Sequence, residues 1–118
     1  MTSLSVSVRE RHDRAMPSGA RGESVTVAVI GELDIATVPR LQDAIDSALA
    51  AGPAELVVDL RGLGFLDSSG LRQFIVLADR AREEGVRLTL VRPAKAVLQV
   101  FQITRAEEHL PFADEPPA

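Results

Sequence analysis

The 118 residues contain no cysteine, tryptophan or tyrosine, and lysine occurs once, at Lys95. Without cysteine there is no disulfide scaffold, thiolate metal site or cysteine nucleophile. A cysteine-free chain also fits the reducing cytoplasm. Four phenylalanines are the only aromatic side chains, so aliphatic residues must fill the core and bases have few rings to stack on. The formal net charge of -4 argues in the same direction, because phosphate-backbone binding needs clustered Lys and Arg. No run approaches the roughly 18 apolar residues of a membrane span, and the N-terminus lacks an apolar signal core. The absences together point to a cytoplasmic protein with no membrane and no direct nucleic-acid contact.

Several chemistries lack their parts. A serine hydrolase needs a base beside its nucleophile, and the only histidines are His12 and His109, one in an expected loop and one near the tail. No Gly-x-Ser-x-Gly elbow occurs, and two histidines without matching spacing do not make a metal site. Asp59 ends an expected central strand, where a receiver domain carries its phosphorylatable aspartate. A receiver's acidic pair could only be Glu32 and Asp34, which follow a hairpin strand, and Lys95 falls in a late helix. No Gly-x-x-x-x-Gly-Lys loop exists, so any ATP must be bound by a partner.

What is present reads as one α/β domain. Leu4-Ser5-Val6-Ser7-Val8 alternates like a half-buried strand, and Val25 to Ile30 is a β-branched second strand ended by Gly31. Between them residues 11–23 hold Pro17, Gly19 and Gly22 and read as a loop, long for the hairpin it would close. Val38, Leu41, Ile45, Ala48 and Leu49 form one helical face, with Thr37 as N-cap, Pro39 in the first turn and Gly52-Pro53 as the stop. Leu56 to Leu60 is a continuous apolar run, expected to be a central strand covered on both faces. A second helix starts near Ser68, buries Leu71, Phe74, Ile75, Ala78 and Ala81, and ends at Gly85 in a left-handed position. Val86 to Val91 alternates as a further strand, Pro93 opens a third helix, and Glu107 to Phe112 ends in a short turn or strand. The expected fold is a mixed, mostly parallel sheet of about four to five strands with an N-terminal β-hairpin and packed helices. The domain spans 4–112, with flexible termini at 1–3 and 113–118.

Asp67-Ser68-Ser69-Gly70 opens the second helix. As structure, Asp67 or Ser68 caps the helix by accepting from a free backbone N–H, and Gly70 lets the first turn pack tightly. As function, a serine at a helix start is exposed enough for modification, and free N–H donors there tolerate a phosphate. The added charge of about −1.5 to −2 would repel an acidic partner or desolvate badly in an apolar contact.

Three segments then carry a resemblance: Gly31-Glu32-Leu33-Asp34-Ile35-Ala36-Thr37, Val58-Asp59-Leu60 through Phe65-Leu66-Asp67-Ser68-Ser69-Gly70-Leu71, and Gly85-Val86-Arg87-Leu88 through Val91-Arg92-Pro93. In order and spacing the chain resembles the bacterial anti-sigma factor antagonists of the STAS domain family, from Leu4 to Phe112. The resemblance implies partner switching. The unphosphorylated protein binds an anti-sigma factor that is also a serine kinase, which frees the sigma factor. The kinase, which binds the ATP, phosphorylates Ser69, and a PP2C-type phosphatase resets the switch. Asp34, Asp67, Ser68 and Gly70 would shape the acceptor site or contact the partner, although Asp34 equally suits a turn or helix-entry cap. The chain would be a kinase substrate and not an enzyme, with no cofactor of its own. A second use of the same fold is small-molecule sensing or complex assembly without a phospho-switch. The chain departs from the family in its long hairpin loop, residues 11–23, and in Thr104-Arg105 where the family favours Thr-Gly. Arginine in a left-handed helix end costs about 1 kcal/mol.

Overall fold

The computed structural model describes residues 3–12 and 23–117, with side chains described from residue 3 to 9 in the first of these segments. Five strands form one sheet in sequential order: β1 (Leu4–His12), β2 (Glu23–Leu33), β3 (Glu55–Leu66), β4 (Arg87–Val91) and β5 (Phe112–Ala113). β1 runs antiparallel to β2, and every later pair is parallel. Each parallel step needs a crossover. α1 (Val38–Ala50) supplies the first, α2 (Ser68–Glu84) the second, and α3 (Lys95–Ile103) with a 3₁₀ turn at Ala106–His109 the third.

The helices share one core. Val25, Val27 and Val29 of β2 and Leu56, Val58 and Leu60 of β3 alternate inward to meet Leu41, Ile45 and Leu49 of α1 and Leu71, Phe74 and Leu77 of α2. α3 joins through Phe101, whose ring lies 5.9 Å from Phe74 and 5.2 Å from Phe112. The scarce aromatics are thus concentrated where the third crossover closes on the second. The expected face of α2 is adjusted here: Leu77 is buried, whereas Ile75 points outward.

β3 is where the structure departs furthest from the sequence pattern. The apolar run predicts a strand ending at Leu60, but pairing with β2 continues to Leu66. Ala28 pairs Asp59 while Ile30 pairs Gly62, and Gly31 pairs Leu63 while Glu32 pairs Phe65. Each step leaves one extra residue in β3, which is a β-bulge. Buried positions therefore run Leu56, Val58, Leu60, Leu63, Leu66. Their spacing lengthens from two to three at each bulge, and a strict period of two cannot follow it. Gly62 belongs to this device, since a Cβ there would sit 2.7 Å from Cγ1 of Ile30. Coverage of β3 also differs from expectation. α1, α2 and α3 pack on a single face, and no described helix lies against the other, where Val57 is nonetheless buried.

Smaller differences have simple causes. β1 runs to His12 and β2 starts at Glu23, because the antiparallel ladder takes in Arg11↔Ser24 and His12↔Glu23. His12 therefore ends a strand, while 13–22, the bulk of the expected loop, lie outside the described residues. Pro93 stands two residues before α3. At the other end Ala113 pairs Val91 and Asp114 bonds Arg92, one and two residues past the expected domain boundary. Arg105 does take up the left-handed conformation (φ 61°) at the Thr104-Arg105 turn.

Candidate functional site

The site forms where β2 and β3 end side by side. Leu33 pairs Leu66, so Asp34 and Asp67 leave the sheet as neighbours although 33 positions separate them in the chain. The backbone N–H of Asp67 donates to the Leu33 carbonyl at 3.1 Å and ties the two exits together. Parallel strands followed by helices place helix N-termini, with their free N–H groups, along one edge of the sheet.

At the second exit the chain turns at once into α2. Asp67 is the N-cap, and its Oδ1 accepts from the Gly70 N–H at 3.0 Å. Ser68 and Ser69 fill the first helical turn, Ser68 exposed and Ser69 half-buried. Among the described residues neither hydroxyl has a hydrogen-bond partner. Gly70 is buried, and a Cβ on it would lie 2.9 Å from both the Leu33 carbonyl oxygen and Leu33 Cγ. Glycine thus allows the start of α2 to seat against the end of β2. Of the residues expected at the site, Gly70 shapes it from beneath while Ser68, Ser69, Asp67 and Asp34 stand at or near its surface.

At the first exit four residues intervene before α1. Asp34 Oδ1 accepts from the N–H groups of Ala36 (2.9 Å) and Thr37 (3.1 Å), which is an Asx turn. Thr37 is buried at 6 % exposure and does not cap α1 with its side chain. Its hydroxyl instead donates to the Glu32 carbonyl at 2.8 Å and accepts from the Asp34 N–H at 3.0 Å. The expected cap fails because a buried hydroxyl facing back to β2 satisfies two groups there, and Pro39 already removes one donor from the first turn. The turn pushes Ile35 into solvent, where it is 77 % exposed.

Ile35, Val38 and Gln42 from the first exit and α1 face Ser69, Arg72, Gln73 and Val76 of α2 across an open groove of about 440 Å³. Gln42 donates to Gln73 across it at 3.1 Å. The groove continues between the helices toward Arg80, which pairs with Asp46 and Glu84; both acids hold its guanidinium above the usual arginine range. The wall residues were not singled out from the sequence. Arg72, three positions after Ser69 in an expected helix, carried a usable signal; Ile35 and Gln42 did not, because only the sheet register brings them here. Asp59 lies away from the groove. Its carboxylate receives two bonds from the Arg61 guanidinium, at 3.0 and 2.8 Å, which hold its pKa below the ordinary 3.8 against the opposing effect of burial.

Among the described residues no group of three or more His, Cys, Asp or Glu side chains is placed to hold a metal ion, and no helix is long and apolar enough to cross a membrane.

The geometry has parallels. A family model described as "Mlab, STAS domain" matches residues 18–111. A STAS-domain containing protein of Pseudomonas aeruginosa is 32 % identical over 94 residues, covering 80 % of this chain and 91 % of the relative. The anti-sigma-B factor antagonist of Staphylococcus aureus is 28 % identical over 78 residues, covering 66 % of this chain and 72 % of that protein. Among solved structures, an anti-sigma factor antagonist from Mycobacterium paratuberculosis superposes with a TM-score of 0.70 at 25 % identity, over 94 % of this chain and 87 % of that one. SpoIIAA in its unphosphorylated form shares the fold at a TM-score of 0.66 and 21 % identity, over 98 % and 89 % of the two chains. This chain belongs to the STAS domain family and resembles its anti-sigma factor antagonists in sequence and in fold.

Proposed function

We propose that this protein is a cytoplasmic anti-sigma factor antagonist controlled by phosphorylation at Ser69. Unphosphorylated, it binds an anti-sigma factor that is also a serine kinase, and the sigma factor is released. The kinase brings ATP. As the Ser69 Oγ–P bond forms, the bond from the γ-phosphorus to the bridging oxygen of ADP breaks, and the hydroxyl proton passes to a base of the kinase. A PP2C-type phosphatase hydrolyses the phosphoserine and restores the binding form. The chain acts as a substrate and a ligand, without catalysis or a cofactor of its own.

The observation that carries this reading is the Ser69 hydroxyl, which is unengaged among the described residues and opens on a groove rimmed by the exposed Ile35 and Val76. An apolar rim suits a protein partner. A phosphate in its midst adds about −1.5 to −2 charges without disturbing the core. Losing ~3 kcal/mol of binding free energy is more than a hundredfold in affinity. Ser68 is exposed and Asp67 caps the helix beneath it, which supports their roles around the acceptor. Asp34 shapes the opposite wall through its turn.

The test is phosphopeptide mass spectrometry after incubation with candidate anti-sigma kinases and ATP, coupled to a binding measurement. Phosphate is expected on Ser69 and absent from Ser69→Ala, which stays able to bind. Phosphorylated protein should bind more than a hundredfold less tightly. Tight binding by the fully phosphorylated protein would sink the switch. Binding with no phosphate from any kinase would turn the reading to a STAS module that assembles complexes or senses a small molecule.

A further inference from the structure

Arg72 follows Ser69 by three residues on α2, and both line the same groove. Residues three apart on a helix are surface neighbours, with Cβ atoms about 5–6 Å apart. Helical side chains lean toward the N-terminus, so the Arg72 stem leans back over the turn that carries Ser69. Arg72 is exposed and has no hydrogen-bond or ion-pair partner among the described residues. Later arginines of α2 and β4 are engaged: Arg80 with Asp46 and Glu84, Arg82 with Asp79, Arg87 with Glu55. The aspartates at the two chain exits use Oδ1 on backbone N–H groups, Asp67 on Gly70 and Asp34 on Ala36 and Thr37. The facing wall offers Ile35, Val38 and Gln42, so among the described residues Arg72 is the one charged side chain lining the mouth of the groove beside Ser69.

We propose that Arg72 is the internal counter-ion of phosphorylated Ser69. This rests on the reading of Ser69 as phosphoacceptor and adds to it. A guanidinium offers a planar fork of donors that matches phosphate oxygens. In the unmodified protein that fork is free to meet a carboxylate of the docking partner. Phosphorylation then changes the mouth of the groove twice, by adding negative charge and by withdrawing the cation that stands there.

The experiment uses the full chain with phosphoserine installed at position 69 during translation, so that no kinase is needed. The second ionisation of the phosphate, near pH ~6 for an isolated phosphoserine, is followed by phosphorus NMR. The wild-type midpoint is expected at least ~0.5 pH unit below that of Arg72→Gln at low salt, because a neighbouring cation favours the dianion. Arg72→Lys should recover part of the shift, and added salt should narrow it. Arg82→Gln, about three and a half turns beyond Ser69 on α2, should leave the midpoint unchanged. Equal midpoints in wild type and Arg72→Gln would overturn the proposal. Thermal melts of the unphosphorylated variants should be unchanged, since Arg72 is exposed and unpaired. The titration judges Arg72 whether or not a native kinase modifies Ser69, and the kinase assay judges Ser69 whatever the titration gives.

Discussion

The two chain exits at the edge of the sheet begin alike and end differently. Each has a leucine closing a strand and an aspartate just beyond it, Leu33-Asp34 and Leu66-Asp67. At the second exit the aspartate caps a helix directly, and two serines whose hydroxyls have no partner among the described residues occupy the first turn. At the first exit the aspartate closes an Asx turn, a buried threonine locks it to β2, and the helix waits until Val38. One exit therefore presents serine hydroxyls, and the other presents a largely apolar wall with Ile35 at its crest. Asp at a strand end is compatible with both outcomes. The following residues decide: Ser68-Ser69-Gly70 permits immediate helix with close packing, whereas Thr37 and Pro39 delay it.

The comparison breaks most severely at Gly70. Gly70→Ala places a Cβ 2.9 Å from the Leu33 carbonyl oxygen, and backbone cannot step aside cheaply. We expect a loss of about 1–3 kcal/mol, the range for overpacking a tight site, read from urea unfolding midpoints. Under the proposed function, weakened partner docking should accompany it, because Gly70 follows Ser69 in the same helical turn. A smaller effect sharpens the difference between the aspartates. Asp67→Ala removes one side-chain bond to a backbone N–H and should cost about 1 kcal/mol, as helix caps do. Asp34→Ala strips acceptors from two N–H groups and should cost about 1–2 kcal/mol. Equal costs would mean that the Asx turn holds itself through the Thr37 hydroxyl alone. The smallest effect concerns Asp59, an acid bonded to a side chain. Its pKa is lowered in the folded state, chiefly by the bonds from Arg61. Its stabilisation is therefore full above the unfolded-state pKa and lost as pH falls through the lower folded value. Asp59→Asn should lower stability slightly at pH 7, by less than either cap variant, and the gap should close when unfolding is repeated below pH ~3.

Local signals were legible wherever the chain obeys a single period. The faces of α1, the start of α2 at Ser68, its left-handed end at Gly85 and the presence of strand β4 follow from residue spacing and turn chemistry, although Leu90 and Val91 at the end of β4 are both buried rather than alternating. The arginine at the left-handed turn after α3 was legible too, as a departure from glycine that the backbone retains at φ 61°. The second half of β3 was not, because two bulges shift its buried residues from every second to every third position. Thr37 misled for a different reason. Its type suits an N-cap, but burial against β2 gave its hydroxyl better partners than the helix could.

The sequence by itself determined the mixed α/β class, the order of elements and the placement of Ser69 in the first turn of a helix, since these depend on neighbours within a few residues. Only the tertiary structure decided what faces that serine. The parallel pairing of Leu33 with Leu66 brings two remote exits together, seats α2 on Gly70 and lays Ile35 and Gln42 across from Ser69 and Arg72. Those contacts depend on strand register and on two extra residues absorbed by β3. Register is settled by the packing of the whole sheet against its helices, and no local window of the chain contains it.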